Sequence, residues 1–148
     1  MIVKSFEGGY DKNFSYLIWC NKTNIASLID PSVDIAAIID AIKKYKLEFK
    51  SIFITHSHHD HLSYLKDFID IYPKINIYIN HKTEFQHSLV SYVKNNQKIT
   101  IGNEQITCIS TPGHFYDSMC FWNKKHNILF TGDTIFVGRT GRVVSHKS

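Results

Sequence analysis

Residues Thr55 to His61 read Thr-His-Ser-His-His-Asp-His. His56, His58, His59 and His61 thus put four of the chain's nine histidines within six residues, with Asp60 among them. Imidazole nitrogens and a carboxylate at this density are the donors a borderline divalent cation takes. A solvated loop has no use for them, because it turns on Gly, Pro, Asn or Ser. The stretch marks a metal site and points to hydrolytic chemistry. Two further fragments carry the same kind of donor, Ser110-Thr-Pro-Gly-His114 and Leu129-Phe-Thr-Gly-Asp133-Thr134. Each alone is no more than a turn or a cap. Both follow apolar runs of strand type, as the cluster does.

The elements around the cluster decide which donors meet. Ile52, Phe53 and Ile54 are continuously apolar within Ser51–Thr55, which predicts a strand buried on both faces, as in a parallel sheet. If the chain stays extended beyond it, His56 and His58 point the same way and converge on one metal. Leu62, Leu65, Phe68, Ile69 and Tyr72 then recur at helical spacing, with Asp60 expected as the N-cap. Such a turn from strand to helix swings Asp60 and His61 past the first metal toward a second. His59 falls between the ligand positions and is read as a neighbour.

Strands are expected near Ile2–Phe6, Phe14–Cys20, Ile25–Ile29, Ile75–Ile79, Gln105–Ser110, Met119–Trp122 and Ile128–Phe130, with a hairpin turn over Asn123 to Asn127. Asp34–Lys46 is the clearest helix, with Ile35, Ile38, Ile39, Ile42 and Tyr45 on one face and Ser32 or Asp34 as cap. It lies between strands and predicts a right-handed βαβ unit. Lys82–Leu89 is expected as another helix. His81, His87 and His126 are read as surface residues.

Composition bounds the rest. A length of 148 residues predicts one domain spanning 1–148 with a sizeable core. The net charge of +4 is modest and the lysines are scattered, so no nucleic-acid surface is expected. Cys20, Cys108 and Cys120 are widely spaced without a Cys-x-x-Cys, and are expected as small buried residues. No apolar stretch approaches a membrane span and the N-terminal residues lack a signal-type apolar region. The expectation is a cytoplasmic protein with no membrane partner.

Taken together, His-x-His-x-Asp-His, Thr-Pro-Gly-His and Thr-Gly-Asp-Thr resemble the metallo-β-lactamase fold superfamily. Asn13-Phe-Ser-Tyr-Leu-Ile18 and Leu28-Ile-Asp-Pro31 resemble its opening strands. The run Asp133-Thr-Ile-Phe-Val-Gly-Arg-Thr-Gly-Arg142 resembles the glyoxalase II branch, that of hydroxyacylglutathione hydrolases. The resemblance implies an α/β (α+β) chain folded as an αββα sandwich. It implies His56, His58 and His114 as ligands of a first metal, Asp60 and His61 as ligands of a second, and Asp133 as the bridge. The cofactor implied is Zn2+, two per complete site, with Fe or Mn as alternatives. The implied reaction is attack of a metal-bound hydroxide on a small-molecule thioester or ester, with Asp60 orienting the nucleophile or carrying its proton.

Arg142 matches a basic residue that contacts the anionic thiol cofactor of the substrate. The family's tyrosine two positions later corresponds to Val144. The superfamily's second metal normally takes a further histidine well downstream of the bridging Asp. His146 is the only histidine after Asp133 and lacks the surrounding pattern. The sandwich is therefore expected to lack its last strands and helix. The chain would be a fragment or a truncated copy, or would be completed by a partner chain, a homo-oligomer covering the second sheet among them. Two other functions stand beside hydrolysis. One is a mononuclear iron oxygenase like the persulfide dioxygenases, using His56, His114 and Asp133. The other is a partial domain without activity of its own.

Overall fold

The computed structural model describes residues 1–9 and 12–143, and within them the chain forms two main β-sheets and two α-helices. The first sheet joins β1 (Ile2–Gly8), β2 (Asn13–Trp19), β3 (Ile25–Ile29), β4 (Glu48–Phe53), β5 (Asn76–Asn80) and β6 (Val90–Val93), in that order. Strands β1 to β3 run antiparallel, and β3 to β6 run parallel. The second sheet has the order β10-β9-β8-β7 and is antiparallel throughout. Its strands are β7 (Lys98–Ile101), β8 (Glu104–Ser110), β9 (Met119–Asn123) and β10 (Ile128–Phe130). A small ribbon, β11 (Ile135–Phe136) and β12 (Arg139–Thr140), follows.

Two cores follow from strand alternation. Leu17, Leu28, Ile52, Ile54, Ile77 and Ile79 face the helices. Ile18, Ile29 and Phe53 point the other way, into Ile106, Cys108, Met119 and Phe121 of the second sheet. The continuous apolar run of β4 is thus buried on both faces, as a central parallel strand requires. Helix α1 (Ile35–Lys44) lies on the outer face of the first sheet through Ile38, Ala41 and Ile42, and Asp34 caps it by accepting from the Ala36 N–H at 2.9 Å. Helix α2 (Leu65–Ile71) packs Leu65 and Phe68 beside it. The layering is that of an αββα sandwich, without a helical layer on the outer face of the second sheet among the described residues. The cysteines are free and buried, in keeping with their reading as small core residues.

Two sequence expectations do not hold, and two strands were not expected. Lys82–Leu89 is a turn-rich loop, in which the side chains of Asn80, Thr83 and His87 accept from Lys82, Phe85 and Leu89 N–H. These local bonds compete with the helical ladder. Strands β6 and β7, absent from the sequence reading, follow, because short runs such as Val90–Val93 gain strand character only from the neighbour they pair with. Asp60 is not a helix cap. Residues His59–His61 form one 3-10 turn, and α2 begins after Tyr64, whose side chain makes no capping bond. No helix among the described residues is long and apolar enough to cross a membrane.

Candidate metal centre

The first sheet delivers the cluster at the end of β4. The second delivers the other two fragments, His114 on the loop between β8 and β9 and Asp133 in the 3-10 turn after β10. Thr55 is the junction. Its carbonyl accepts from the Met119 N–H at 2.8 Å, which ties the His114 loop to the chain leaving β4. Gly132, at a positive φ of 49°, lies against the Thr55 side chain, where a Cβ would overlap the hydroxyl. That close approach is why glycine precedes Asp133.

Three ring nitrogens converge. His56 Nε2 lies 2.9 Å from His58 Nδ1, and His114 Nε2 lies 3.0 Å from the same atom. The far sides of the rings say which nitrogens carry hydrogen. His114 Nδ1 is 2.7 Å from the Arg142 carbonyl, which can only accept, so Nδ1 holds the proton and Nε2 is bare. Thr55 Oγ1 donates to Asp30 Oδ2 at 2.6 Å and can then only accept from His56 Nδ1, 3.1 Å away. His56 Nε2 is bare as well. Two bare nitrogens that face one point suit a cation there. A zinc–nitrogen distance of about 2.0–2.1 Å in a tetrahedral site sets neighbouring ligand atoms about 3.3 Å apart, close to the spacing here.

A second group adjoins the first. His56, His61 and Asp133 offer ligand atoms within 4.8 Å of one another, as do His56, His58 and His114. His61 Nε2 is 3.4 Å from Asp133 Oδ1 and 3.6 Å from Asp60 Oδ2, is buried, and has no hydrogen-bond partner among the described residues. Asp133 Oδ2 is 3.5 Å from His114 Nε2, so its two oxygens face the two groups. Asp60 belongs to neither group. It is one-third exposed, and its Oδ2 accepts from Asn13 Nδ2 at 2.6 Å. His59 is exposed, outside both groups. Among the described residues these donor sets suit one or two divalent cations.

Electrostatics agree with that donor set. Burial and the neighbouring His61, His58 and His114 push the His56 imidazole far below its ordinary range, and burial with His114 lowers His58. Both rings stay neutral and keep their lone pairs. Burial would depress His61 too, but the Asp30 charge and hydrogen bond, with the Asp133 carboxylate 3.4 Å away, outweigh it and raise the ring to about 10. Burial would raise the Asp133 carboxyl, yet the close His61 ring, with His114 and His58, holds it below the ordinary value. The carboxylates around His61 draw positive charge to Nε2, and a metal ion would replace a proton there.

Asp30 was quoted in the sequence only as part of a strand ending. It is buried at a positive φ of 50°, and its carboxylate takes the Thr55 N–H at 2.7 Å, the Thr55 hydroxyl at 2.6 Å and His61 Nδ1 at 2.8 Å. It therefore orients His61 directly and His56 through Thr55. The one signal in the sequence was an Asp placed between a buried strand and a proline. Arg142 enters through its backbone carbonyl, with its side chain exposed. Beside the metal groups lies a cavity of about 570 Å3, lined by Phe14, Tyr16, His61, Phe130 and Asp133. Its cations are Lys12 and Arg139, the latter stacked on the Phe136 ring. Val144 and His146 lie outside the described residues.

A model of the metallo-β-lactamase superfamily matches residues 8–147. The chain belongs to that superfamily. It is 35% identical over 133 residues to a hydroxyacylglutathione hydrolase of Francisella tularensis subsp. novicida, covering 89% of this chain and 51% of the relative. It is 30% identical over 141 residues to a probable hydroxyacylglutathione hydrolase of Schizosaccharomyces pombe, covering 90% of this chain and 53% of the relative. The chain thus spans about half the length of the curated relatives it matches. The crystal structure of ETHE1 from Myxococcus xanthus superposes with a TM-score of 0.87 over 98% of this chain and 63% of that one. At 23% identity that likeness shows the fold.

Proposed function

We propose that this superfamily member carries the metal centre of a hydrolase that cleaves a small-molecule thioester or ester, in the manner of glyoxalase II. The observation that carries the reading is the meeting of His56 Nε2, His58 Nδ1 and His114 Nε2 beside His61 Nε2 and the two-faced Asp133. The first three would hold one Zn2+, and His61 with Asp133 a second, Asp133 bridging. Bound zinc supplies a hydroxide at neutral pH and polarises the carbonyl under attack.

The chain's own residues do the rest. Asp30 and the Arg142 carbonyl fix the ring tautomers. Asp60, held by Asn13, takes the proton of the nucleophile. The apolar cavity beside Asp133 would receive the acyl group, and Arg142 is the basic residue that the family resemblance implies for an anionic thiol.

The test is metal analysis of the purified chain with a hydroxyacylglutathione thioester as probe. About two Zn2+ per chain and thiol release support the reading. One Fe per chain with oxygen uptake would replace it with the iron oxygenase built on His56, His114 and Asp133. No bound metal would leave a domain without activity of its own.

A further inference from the structure

Asp117 lies outside the donor set and has no part in the hydrolytic scheme, yet it is fully buried beside it. It stands three residues after His114, and its Oδ1 accepts from the Ser57 N–H at 3.2 Å. Ser57 sits between His56 and His58. The two segments that supply the three converging nitrogens are therefore joined at two points, Asp117 to Ser57 and Met119 to Thr55. The second oxygen, Oδ2, is buried with no partner among the described residues. Burying a carboxylate on a single neutral amide is costly unless positive charge stands nearby. Asparagine or serine could accept from Ser57 without that cost. A charged group is explained if the segments it joins hold a cation.

We propose that Asp117 is a positioning residue and counter-charge for the three-histidine site. It clamps the His56–His58 segment against the His114 loop, and its charge favours a divalent cation at His56, His58 and His114. This rests on reading that cluster as a metal centre.

Asp117→Asn keeps the shape and an oxygen for Ser57 but removes the charge, whereas Asp117→Ala removes both. With the full chain titrated with Zn2+ against a chromophoric chelator, the Asn variant binds its first Zn2+ about 10-fold more weakly than the parent and the Ala variant about 100-fold. The metal-free Asn variant melts at or above the temperature of the metal-free parent, because a buried charge has gone. Parental Zn2+ affinity in Asp117→Asn overturns the proposal. So does a metal-free melting temperature that falls as far as the metal-loaded one, since a purely structural carboxylate would behave that way. If the Ala variant does not fold, the Asn variant decides alone. A parent that binds no Zn2+ overturns the metal-centre reading itself, whereas equal binding by parent and Asn variant removes only the role of Asp117.

Discussion

Asp30→Asn tests the centre at its most connected point. The native carboxylate accepts three hydrogen bonds at 2.6–2.8 Å, from the Thr55 N–H, the Thr55 hydroxyl and His61 Nδ1. Asparagine tolerates the positive φ of 50° at this position, so the backbone is not strained by the change. Its amide has one accepting oxygen and one donating nitrogen. If the oxygen keeps the Thr55 N–H at the Oδ1 position, the NH2 takes the Oδ2 position and faces His61 Nδ1 as well as the Thr55 hydroxyl. The ring must then accept there and carry its proton on Nε2, the atom aimed at Asp133. A protonated Nε2 cannot ligate a metal. Losing one buried, charge-assisted bond costs about 2 kcal/mol. In a chain of this size that lowers the melting temperature by about 4–8 °C. Loss of such an orienting partner weakens metal binding about 10- to 100-fold.

The assay is Zn2+ titration with stoichiometry, run beside Thr55→Val. That control removes one Asp30 donor but leaves the His61 bond. Asp30→Asn should retain tight binding of the Zn2+ held by His56, His58 and His114 and lose the one at His61 and Asp133. Thr55→Val should lose stability without losing the second metal. Two tightly bound Zn2+ in Asp30→Asn would refute the tautomer argument.

Other expectations follow from the same geometry. Asp60→Ala should cost no more than about 1 kcal/mol of stability, since it loses one part-buried bond to Asn13, yet lower turnover at least about 100-fold. His58→Ala should release the first metal and abolish turnover with the circular-dichroism spectrum unchanged, and near-parental turnover in either variant would sink the two-metal scheme. Gly141→Ala would drive a Cβ into the Asp133 carbonyl oxygen and to within 3.2 Å of His114 Cβ, so thermal melts should show about 1–3 kcal/mol of destabilisation together with weaker metal binding. The metal-free protein should be most stable near the ordinary histidine value of about 6.5. Below it, only the unfolded chain protonates His56 and His58, so stability falls with falling pH, by about 1.4 kcal/mol per unit for the fully buried His56 alone. Above it, His61 keeps its proton only in the folded state, and that stability is lost as pH rises toward about 10. Urea titrations across pH check this, and a profile without a maximum would contradict the assigned ring states.

Local chemistry explains what was legible in the chain. The capped helix α1 and the doubly buried β4 are written in side-chain period and polarity over a few residues; α1 forms where expected, and β4 runs over Glu48–Phe53 against the expected Ser51–Thr55. The helix expected over Lys82–Leu89 failed because Asn80, Thr83 and His87 satisfy the nearby backbone amides locally. Asp60 as a cap failed for another reason. Asn13, from a distant strand, claims its carboxylate, and a cap preference worth about 1 kcal/mol yields to such a contact.

The sequence by itself determined which atoms can bind a metal. Imidazole and carboxylate are the right donors wherever they end up; His56, His58 and His61 stand out by type and spacing, and His114 and Asp133 through the family resemblance their motifs carry. Only the tertiary structure decided which nitrogens of His56 and His114 are bare and which carboxylate holds His61 in place. Asp30 reaches Thr55 across 25 residues, and Asp117 reaches Ser57 across 60. Neither contact leaves a periodicity or a motif, because a hydrogen bond between distant segments exists only once the two sheets have brought those segments together.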